Sequence, residues 1–493
     1  MIRDLLTNRE SPERIAVIEN DREIPYLDLI QKALALQPLL QRRQQEKVAV
    51  FLPNGGDYIA AFWGTILSGV TVFPLNVLMT GHEIILLLKQ VSVNTVITLR
   101  SYRHFFEEMM EDKEFPVQMI YIDEMSENKA TAYESEVVAS DICPEDPMVL
   151  LSTSGTTGKP KIVQLSEKNV EASVLGYLEK IQVKKADLSD VRYILAAPFS
   201  SVYGMMILSA CLLKSFPIIM IDPVFTLSAL YRTAVKHRAT HYEGSASAIL
   251  LMEQMAGRHI PYDILPFTYF GFGGSKVSGD TIAKIQKAYP GIRLFQGYGM
   301  TEAAPLIAKH PLGKLEKTGS VGTAIKGVEI AVETENGITH TPYTEGEIIV
   351  KGPNVMLGYY NNEAETNRVL KNGYLYTGDI GYLDEEGYLY ICGRKKNVII
   401  VRGFNVYPEE VEACIQNSLL AKECYVYGQE DVFGNEMVCA DIVPMNPLVQ
   451  VEAVRAYCSS HLAEYKQPKR ISFCENIRKN PSGKTERKKG GPL

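Results

Sequence analysis

The sequence predicts an α/β protein in which a large N-terminal domain is followed by a small α+β domain. Two observations indicate this fold class. Strand-like and helix-like segments alternate along the first half of the chain, and over residues 321–391 they give way to short strands and turns, which predict a β-rich subdomain. The chain's 493 residues also exceed what one hydrophobic core usually supports, so we expect at least two domains.

The α/β part is predicted as two successive passes of strands and helices. Short apolar runs bounded by turn residues predict strands, and apolar residues at three- and four-residue spacing predict helices. The first pass has strands at 15–18, 47–52, 70–75 and 95–99 and helices at 26–40, 57–67 and 83–90. The second has helices at 168–178, 205–214 and 227–236 and strands at 193–198, 217–221 and 240–242, and it ends at the glycine-rich stretch 269–275.

The last hundred or so residues predict a separate small domain. Its strands are expected at 398–401, 424–427, 438–443 and 471–474, and its helices at 408–416 and 451–462. We place the boundary at the basic segment 394–397, so the predicted domains are 1–393 and 398–493.

Composition excludes several classes of function. The net charge of −7 argues against non-specific nucleic-acid binding. No apolar stretch is long enough for a transmembrane helix, and the charged N-terminal residues leave no room for a signal peptide. The eight cysteines are scattered without a C-x-x-C pair, as expected for reduced thiols in a cytoplasmic protein.

A polar, glycine-containing stretch after an apolar strand predicts a phosphate-binding loop. Residues 152–161 read STSGTTGKPK, directly after the apolar run 148–151. Glycines let backbone amides turn toward an anion, hydroxyls donate hydrogen bonds, and lysines add positive charge. The glycine spacing differs from that of a P-loop. The predicted phosphate ligands are Thr153, Ser154, Gly155, Thr156, Thr157, Gly158 and Lys161.

Four further segments follow this loop in a recognisable order. They are 296–302 (QGYGMTE), 376–379 (YTGD), 393–397 (GRKKN) with 403–408 (GFNVYP), and 480–484 (NPSGK). With these five motifs the chain resembles, over essentially its full length, the adenylate-forming superfamily of acyl- and aryl-CoA synthetases, luciferases and peptide-synthetase adenylation domains.

The resemblance implies a function for each motif. The N-terminal domain would bind ATP and a carboxylic acid, and the small C-terminal domain would be a mobile lid. Thr301 and Glu302 would face the ATP phosphates, with Glu302 as an oxygen ligand for Mg²⁺. Asp379 and Arg394 would bind the ribose hydroxyls. The remaining nucleotide ligands would be Gly273, Gly274, Ser275, Gln296, Gly297, Tyr298 and Gly299.

The C-terminal motifs imply a two-step ligase. Lys484 would bring an ammonium to the reacting carboxylate and α-phosphate, where charge accumulates. Lys396 matches the hinge of the family, and Gly403 matches the channel for the thiol. The acid would first become an acyl-adenylate and then be transferred to a thiol. Coenzyme A is the expected acceptor of the acyl group. The alternatives are transfer to the phosphopantetheine of an acyl carrier protein and a catalytically silent sensor that only binds a nucleotide or acyl ligand.

The segment 198–204 indicates the kind of acid. It has no carboxylate to pair with an ammonium, so an α-amino acid is disfavoured. Many acyl- and aryl-CoA synthetases carry a histidine where this chain has Ser201. The neighbouring side chains are apolar or aromatic and favour an aliphatic or aromatic acid. The predicted substrate pocket consists of Ser201, Tyr203, Tyr242 and Gly271.

Overall fold

The computed structural model contains two compact units and confirms the α/β fold class. It describes residues 2–6, 11–41, 47–107, 115–125, 143–153, 160–182, 190–221, 226–255, 266–274, 277, 279–311, 317, 319–401, 404–430, 436–462 and 464–479. The first unit comprises Met1–Glu329 and Val350–Leu375, and the second comprises Ile330–Ile349 and Tyr376–Leu493. The contacts thus group 376–393 with the C-terminal residues, whereas the boundary predicted at 394–397 stays a prediction.

The first unit is built on two mixed sheets covered by helices. Its strands are β1 Ile15–Glu19, β2 Arg22–Pro25, β3 Lys47–Phe51, β4 Thr71–Pro74, β5 Thr95–Thr98, β6 Gln118–Tyr121, β7 Pro147–Thr153, β8 Lys161–Ser166, β9 Tyr193–Leu195, β10 Ile218–Ile219, β11 His241–Ser245, β12 Tyr269–Gly273, β13 Arg293–Gly299, β14 Leu306–Lys309, β15 Thr323–Ala324, β19 Gly358–Tyr359 and β20 Leu370–Lys371. Its helices are α1 Tyr26–Gln41, α2 Gly56–Leu67, α3 Gly81–Val91, α4 Glu167–Ile181, α5 Val202–Lys214, α6 Leu227–His237, α7 Ala246–Met255, α8 Gly279–Ala288 and α9 Glu363–Val369.

The second unit is β-rich and carries two further helices. Its strands are β16 Glu329–Thr334, β17 Gly337–Thr339, β18 Gly346–Lys351, β21 Tyr374–Leu383, β22 Leu389–Arg394, β23 Ile399–Val401, β24 Phe404–Val406, β25 Ala421–Glu430, β26 Glu436–Pro444 and β27 Arg470–Phe473. Its helices are α10 Pro408–Asn417 and α11 Val451–His461. The unit boundaries fall near the start of β16 and within β18 and β21.

The strand order of the first unit places predicted nucleotide motifs beside one another at the carboxyl ends of strands. One sheet runs β15-β14-β13-β12-β11-β9-β10-β1-β2, and the strands from β13 to β1 are parallel. The other sheet runs β19-β8-β7-β4-β3-β5-β6. Because the carboxyl ends of parallel strands share one edge, the segments that follow β12 and β13 lie side by side.

Apolar side chains pack against one face of the first sheet. A hydrophobic cluster on one face includes Tyr242, Phe270, Phe272 and Leu294, and it packs with residues of α6, α7 and α8. No helix of the described part of the chain is long and apolar enough to cross a membrane. All eight cysteines are free thiols.

Candidate active site

The predicted phosphate loop connects the antiparallel strands β7 and β8. Ser152 pairs with Ile162 and Thr153 with Lys161, so the two ends of the loop are adjacent. The Thr153 hydroxyl donates a 3.3 Å hydrogen bond to the Lys161 carbonyl. The loop residues Ser154, Gly155, Thr156, Thr157 and Gly158 lie outside the described residues, and their phosphate-binding function stays a prediction.

Lys161 places a positive charge where this loop ends. Its ammonium forms an ion pair with Glu365 and lies 5.0 Å from the ring centroid of Tyr359. The hydrogen bond from Lys161 lowers the pKa of the Glu365 carboxyl, which favours the ionised carboxylate. Lys161 therefore lies at the end of the predicted loop, where Glu365 offsets part of its charge, and its phosphate-binding function stays a prediction.

Glu302 is connected to this loop by a residue that the sequence analysis does not identify. Glu302 lies in a 3₁₀ turn, Thr301–Ala303, directly after β13, and it is buried. Its Oε1 atom accepts a 2.8 Å hydrogen bond from the Tyr359 hydroxyl. Tyr359 lies on β19, which pairs with β8. One tyrosine therefore contacts both Glu302 and Lys161, although no sequence signal distinguishes it from the other tyrosines.

Hydrogen bonds and close backbone packing fix the turn that contains Glu302. The buried Asn354 amide donates hydrogen bonds to the carbonyls of Ala303 (3.1 Å) and Leu306 (2.8 Å). A Cβ atom at Gly299 would lie 1.9 Å from the Pro305 carbonyl oxygen, because the turn folds back onto the strand. The glycine at 299 is thus required by the fold itself, in addition to the nucleotide approach that the sequence suggests.

The glycines at the ends of β12 and β13 form an edge with few side chains. A Cβ atom at Gly273 would lie 3.5 Å from the Gly297 carbonyl oxygen. Gly274 has φ of 85°, a left-handed conformation that favours glycine, and no atom of the described residues would lie within 4 Å of a Cβ there. Gln296 is buried and Tyr298 half-buried on the adjacent strand, whereas Ser275 lies outside the described residues.

In the second unit, strand pairing brings the two predicted ribose ligands together. Asp379 on β21 is in register with Arg394 on β22, and Arg394 Nε lies 2.6 Å from Asp379 Oδ1. The Asp379 side chain is almost fully buried, and that of Arg394 is half exposed. Glu347 holds the preceding turn, accepting a 3.1 Å hydrogen bond from the Gly378 amide and pairing with Lys395 at 2.6 Å.

The remaining C-terminal predictions are only partly within the described residues. Lys396 lies in a 3₁₀ turn, Lys395–Asn397, between β22 and β23, and its side chain is exposed. Gly403 and Lys484 lie outside the described residues. Their functions in the thiol channel and at the α-phosphate, and the hinge at Lys396, stay predictions.

The segment expected to border the acid is fixed by two side chains. Ser201 is the N-cap of α5: its hydroxyl accepts from the Gly204 amide (3.0 Å) and donates to the Pro198 carbonyl (2.7 Å). Asn54 donates to the Ala197 carbonyl and accepts from the Phe199 amide, at 3.0 and 2.8 Å. Ser201 therefore has a structural function that does not depend on a substrate.

Two of the predicted pocket residues meet at a buried carboxylate. The Tyr203 hydroxyl donates to Glu243 on β11, and a Cβ atom at Gly271 would lie 2.3 Å from the Glu243 carboxyl group. Tyr242 does not join them: side chains alternate along a strand, and Tyr242 lies in the hydrophobic cluster on the opposite face. The segment 198–204 itself has no carboxylate, but Glu243 reaches it from another strand.

Glu243 is neutralised and fully hydrogen-bonded. Lys309 Nζ lies 3.4 Å from its Oε1 atom, and both side chains are buried. Burial raises the pKa of the Tyr203 hydroxyl, and the Glu243 charge raises it further, so the tyrosine stays a donor. Burial lowers the pKa of Lys309, while Glu243 opposes that change. Because Glu243 is already paired, it offers no free carboxylate to an ammonium.

The donor set fits a magnesium–nucleotide complex. Thr301 and Glu302 supply oxygen atoms only, which Mg²⁺ prefers. The described residues contain no group of three or more His, Cys, Asp or Glu side chains that could form an all-protein metal site. Mg²⁺ is usually bound by one or two carboxylates together with substrate phosphates, and Glu302 is suited to that arrangement.

Family profiles and individual relatives match most of this chain. The profile of the AMP-binding enzyme family matches residues 6–360, and that of the AMP-binding enzyme C-terminal domain matches residues 410–484. The chain is 30% identical to a long-chain-fatty-acid–CoA ligase of Bacillus subtilis, over 97% of this chain and 91% of that protein. It is 29% identical to a 2-succinylbenzoate–CoA ligase of the same organism, over 96% and 94%.

A solved structure of a related enzyme has the same overall fold. O-succinylbenzoate coenzyme A synthetase from Bacillus subtilis, in complex with ATP and a magnesium ion, superimposes with a TM-score of 0.84 at 27% identity and covers 98% of both chains. The chain therefore belongs to the AMP-binding enzyme family and is an ATP-dependent acid–thiol ligase of the acyl-CoA synthetase type.

Proposed function

We propose that this enzyme activates a carboxylic acid with an apolar aliphatic or aromatic body and transfers its acyl group to coenzyme A. The convergence of Glu302 and Lys161 on Tyr359 carries the proposal, because it joins the predicted phosphate loop to the predicted magnesium ligand. The two relatives named above are CoA ligases for a long-chain fatty acid and for 2-succinylbenzoate, which supports an acid of this class and coenzyme A as acceptor.

Each proposed ligand has a defined task in the first step. Glu302 and Thr301 orient the ATP phosphates, and Mg²⁺ bound there neutralises their charge. Asp379 accepts hydrogen bonds from the ribose hydroxyls, and Arg394 fixes that carboxylate. The acid carboxylate attacks the α-phosphorus, pyrophosphate leaves, and the Lys484 ammonium stabilises the oxygens that gain charge.

The second step uses the mixed anhydride made in the first. The thiol of coenzyme A attacks the acyl carbonyl carbon, the bond to the AMP oxygen breaks, and the thiol proton is lost to solvent. Gly403 lines the route of this thiol. We place the enzyme in the cytoplasm, where free thiols such as its eight cysteines stay reduced.

Pyrophosphate exchange tests the proposal directly. The enzyme should exchange labelled pyrophosphate into ATP with aliphatic or aromatic acids, and chelation of Mg²⁺ should stop the exchange. Amino acids should be no better than their deaminated analogues, because Glu243 is already paired with Lys309. Added coenzyme A should yield the thioester and free AMP. ATP binding without exchange for any acid would contradict the activity, and transfer only to a carrier protein would contradict the acceptor.

A further inference from the structure

A buried polar cluster lies on the face of the first sheet that carries the predicted pocket. The cluster consists of Glu243, Lys309, Tyr177, Tyr203 and Tyr269, and we call it the Glu243 cluster. Oε1 of Glu243 accepts hydrogen bonds from the hydroxyls of Tyr177 (2.9 Å) and Tyr269 (2.8 Å), and the other carboxylate oxygen accepts from Tyr203.

The cation in this cluster is enclosed as completely as the anion. The side chain of Lys309 is 1% exposed and that of Glu243 is 0% exposed. The Lys309 ammonium lies 5.2 Å from the ring centroid of Tyr177 and 5.7 Å from that of Tyr269. Aromatic faces attract a cation, so the two rings stabilise Lys309 in addition to its ion pair. The five side chains form one hydrogen-bonded group, and the Tyr177 hydroxyl also lies 3.1 Å from the hydroxyl of Tyr193.

The register of the sheet locates the cluster relative to the nucleotide edge. Glu243 on β11 is directly opposite Gly271 on β12, and each lies two residues before the end of its strand. Two residues of a strand span about 7 Å. Gly273, at the end of β12, is one of the predicted nucleotide ligands. The Glu243 carboxyl group therefore lies about 7 Å along the strands from the predicted nucleotide edge.

The cluster adjoins two residues of the predicted substrate pocket, so an acid that extends past them would meet it. Tyr203 lies in the segment expected to border the acid, and Gly271 leaves room only for the Glu243 carboxyl group. An alkyl chain longer than this distance would have to displace a buried ion pair. Separating such a pair leaves an uncompensated charge in an apolar environment, which is strongly unfavourable.

Resting on the proposed function, we infer that the Glu243 cluster is the end wall of the acid pocket and restricts this enzyme to short acids. Glu243 and Lys309 are then specificity-determining residues for the acid. The long-chain ligase among the relatives would differ from this enzyme in the length of acid that it accepts.

A series of straight-chain acids tests the inference on the unmodified enzyme. Pyrophosphate exchange should be measured with butanoate, hexanoate, decanoate and hexadecanoate. We expect kcat/KM to fall by about 10- to 100-fold from hexanoate to decanoate, since a filled pocket discriminates against added methylenes. Hexadecanoate equal to or better than hexanoate would overturn the inference while leaving the proposed activity intact. Exchange with no acid at all would instead contradict the proposed activity.

Removing both charges should lengthen the pocket. The double variant Glu243→Ala with Lys309→Met leaves no unpaired charge and opens space at the end wall. We expect its preference to shift to longer acids, with kcat/KM for decanoate relative to hexanoate rising about 10-fold. A folded double variant with the chain-length profile of the unmodified enzyme would overturn the inference.

The same pair of substitutions elsewhere provides a matched control. Glu253 and Lys284 form a 3.0 Å ion pair between α7 and α8, in the first unit but outside the Glu243 cluster. Glu253→Ala with Lys284→Met should keep the chain-length profile of the unmodified enzyme. If the Glu243 double variant fails to fold, the acid series on the unmodified enzyme still decides the question.

Discussion

Tyr359 contributes one hydroxyl and one ring to two different motifs of the proposed nucleotide site. Its hydroxyl satisfies one oxygen of the buried Glu302, and its ring lies beside the Lys161 ammonium. A buried carboxylate oxygen that loses its donor is costly, and its side chain is no longer held in one orientation. Tyr359 is thus a positioning residue for the proposed magnesium ligand.

We predict that Tyr359→Phe raises the KM for MgATP by about 10- to 100-fold, the usual effect of losing a hydrogen-bond partner of a metal ligand. Pyrophosphate exchange at varied MgATP measures it. Tyr374→Phe is a matched control, since it removes a 2.5 Å hydrogen bond between a tyrosine and the glutamate Glu329 at the exposed surface. Equal effects of the two variants would contradict a specific function of Tyr359.

His241 couples the stability of the first unit to pH. Its ring is buried and lies between those of Tyr193 (centroids 4.8 Å apart) and Tyr269 (5.1 Å). Burial, with a smaller contribution from Arg293, lowers the pKa of His241 to about 4. In the unfolded chain the pKa is about 6.5. Between these values only the unfolded chain binds the proton, so the free energy of unfolding falls as pH falls.

We predict that lowering the pH from 7 to 5 removes about 2 kcal/mol of stability through His241 alone. His241→Phe keeps an aromatic ring in the stack and cannot titrate. Urea unfolding at the two pH values should show a smaller loss for this variant than for the unmodified enzyme. The same loss in both proteins would exclude His241 as the source.

At the scale of elements, the start of α5 determines the shape of the acid segment. Ser201 caps this helix, and Gly204 allows close packing, because a Cβ atom there would lie 2.0 Å from the Pro198 carbonyl oxygen. The sequence predicts Ser201 as a pocket residue, at the position where many acyl- and aryl-CoA synthetases carry a histidine. The structure gives its hydroxyl two backbone partners, so the first expected effect of removing it is on stability.

We predict that Ser201→Ala lowers the free energy of unfolding by about 1 kcal/mol, the usual effect of losing an N-cap. Thermal and urea unfolding would measure this change. Ser201→Thr retains a capping oxygen and should keep most of the stability. If Thr and Ala are equally destabilising, the capping hydrogen bond is not the cause.

Helices and strands with a strong hydrophobic pattern were predicted well, whereas those with a weak pattern were missed. The helices predicted at 26–40, 57–67 and 83–90 correspond to α1, α2 and α3, and the strand leading into the phosphate loop is β7. The hydrophobic pattern does not indicate α7 or α8. α8 begins at Gly279, a residue of low helix propensity, and is stabilised by packing its apolar side against the sheet.

At the scale of the whole molecule, the proposed mechanism needs two arrangements of one chain. Lys484 is proposed to act on the α-phosphate and Gly403 on the incoming thiol, yet both belong to the predicted C-terminal domain. A rotation about Lys396, whose side chain is exposed in its 3₁₀ turn, would let each act in turn.

We predict that Lys484→Ala lowers adenylate formation by about 10²-fold or more, as for the loss of a preorganised charge donor. Formation of thioester from supplied acyl-AMP should largely survive. Gly403→Leu should block thioester formation and leave pyrophosphate exchange near normal. Lys396→Pro, which restricts the backbone, should damage one half-reaction more than the other.

Circular dichroism must first show that these three variants are folded. Equal impairment of both half-reactions by Lys484→Ala and Gly403→Leu would refute the alternating arrangement for this enzyme.

The sequence by itself determined the family and the reaction and predicted the nucleotide motifs, because these depend on short runs of residues that act through backbone and local side chains. For this reason the sequence could indicate the glycines at 273, 274, 297 and 299 together with Glu302, Asp379 and Arg394 as nucleotide ligands. Only the tertiary structure showed that Tyr359 joins Glu302 to Lys161, that Ser201 caps a helix, and that Tyr242 faces away from Tyr203.

The Glu243 cluster shows why long-range contacts around the site could not be predicted from the sequence. Glu243 and Lys309 are 66 residues apart, and neither belongs to a recognisable motif. Their ion pair exists because parallel pairing puts Glu243 opposite Gly271 and a later antiparallel strand ends at Lys309. Long-range contacts of this kind are fixed by strand order and register, which a single sequence does not display, and the proposed limit on acid length depends on them.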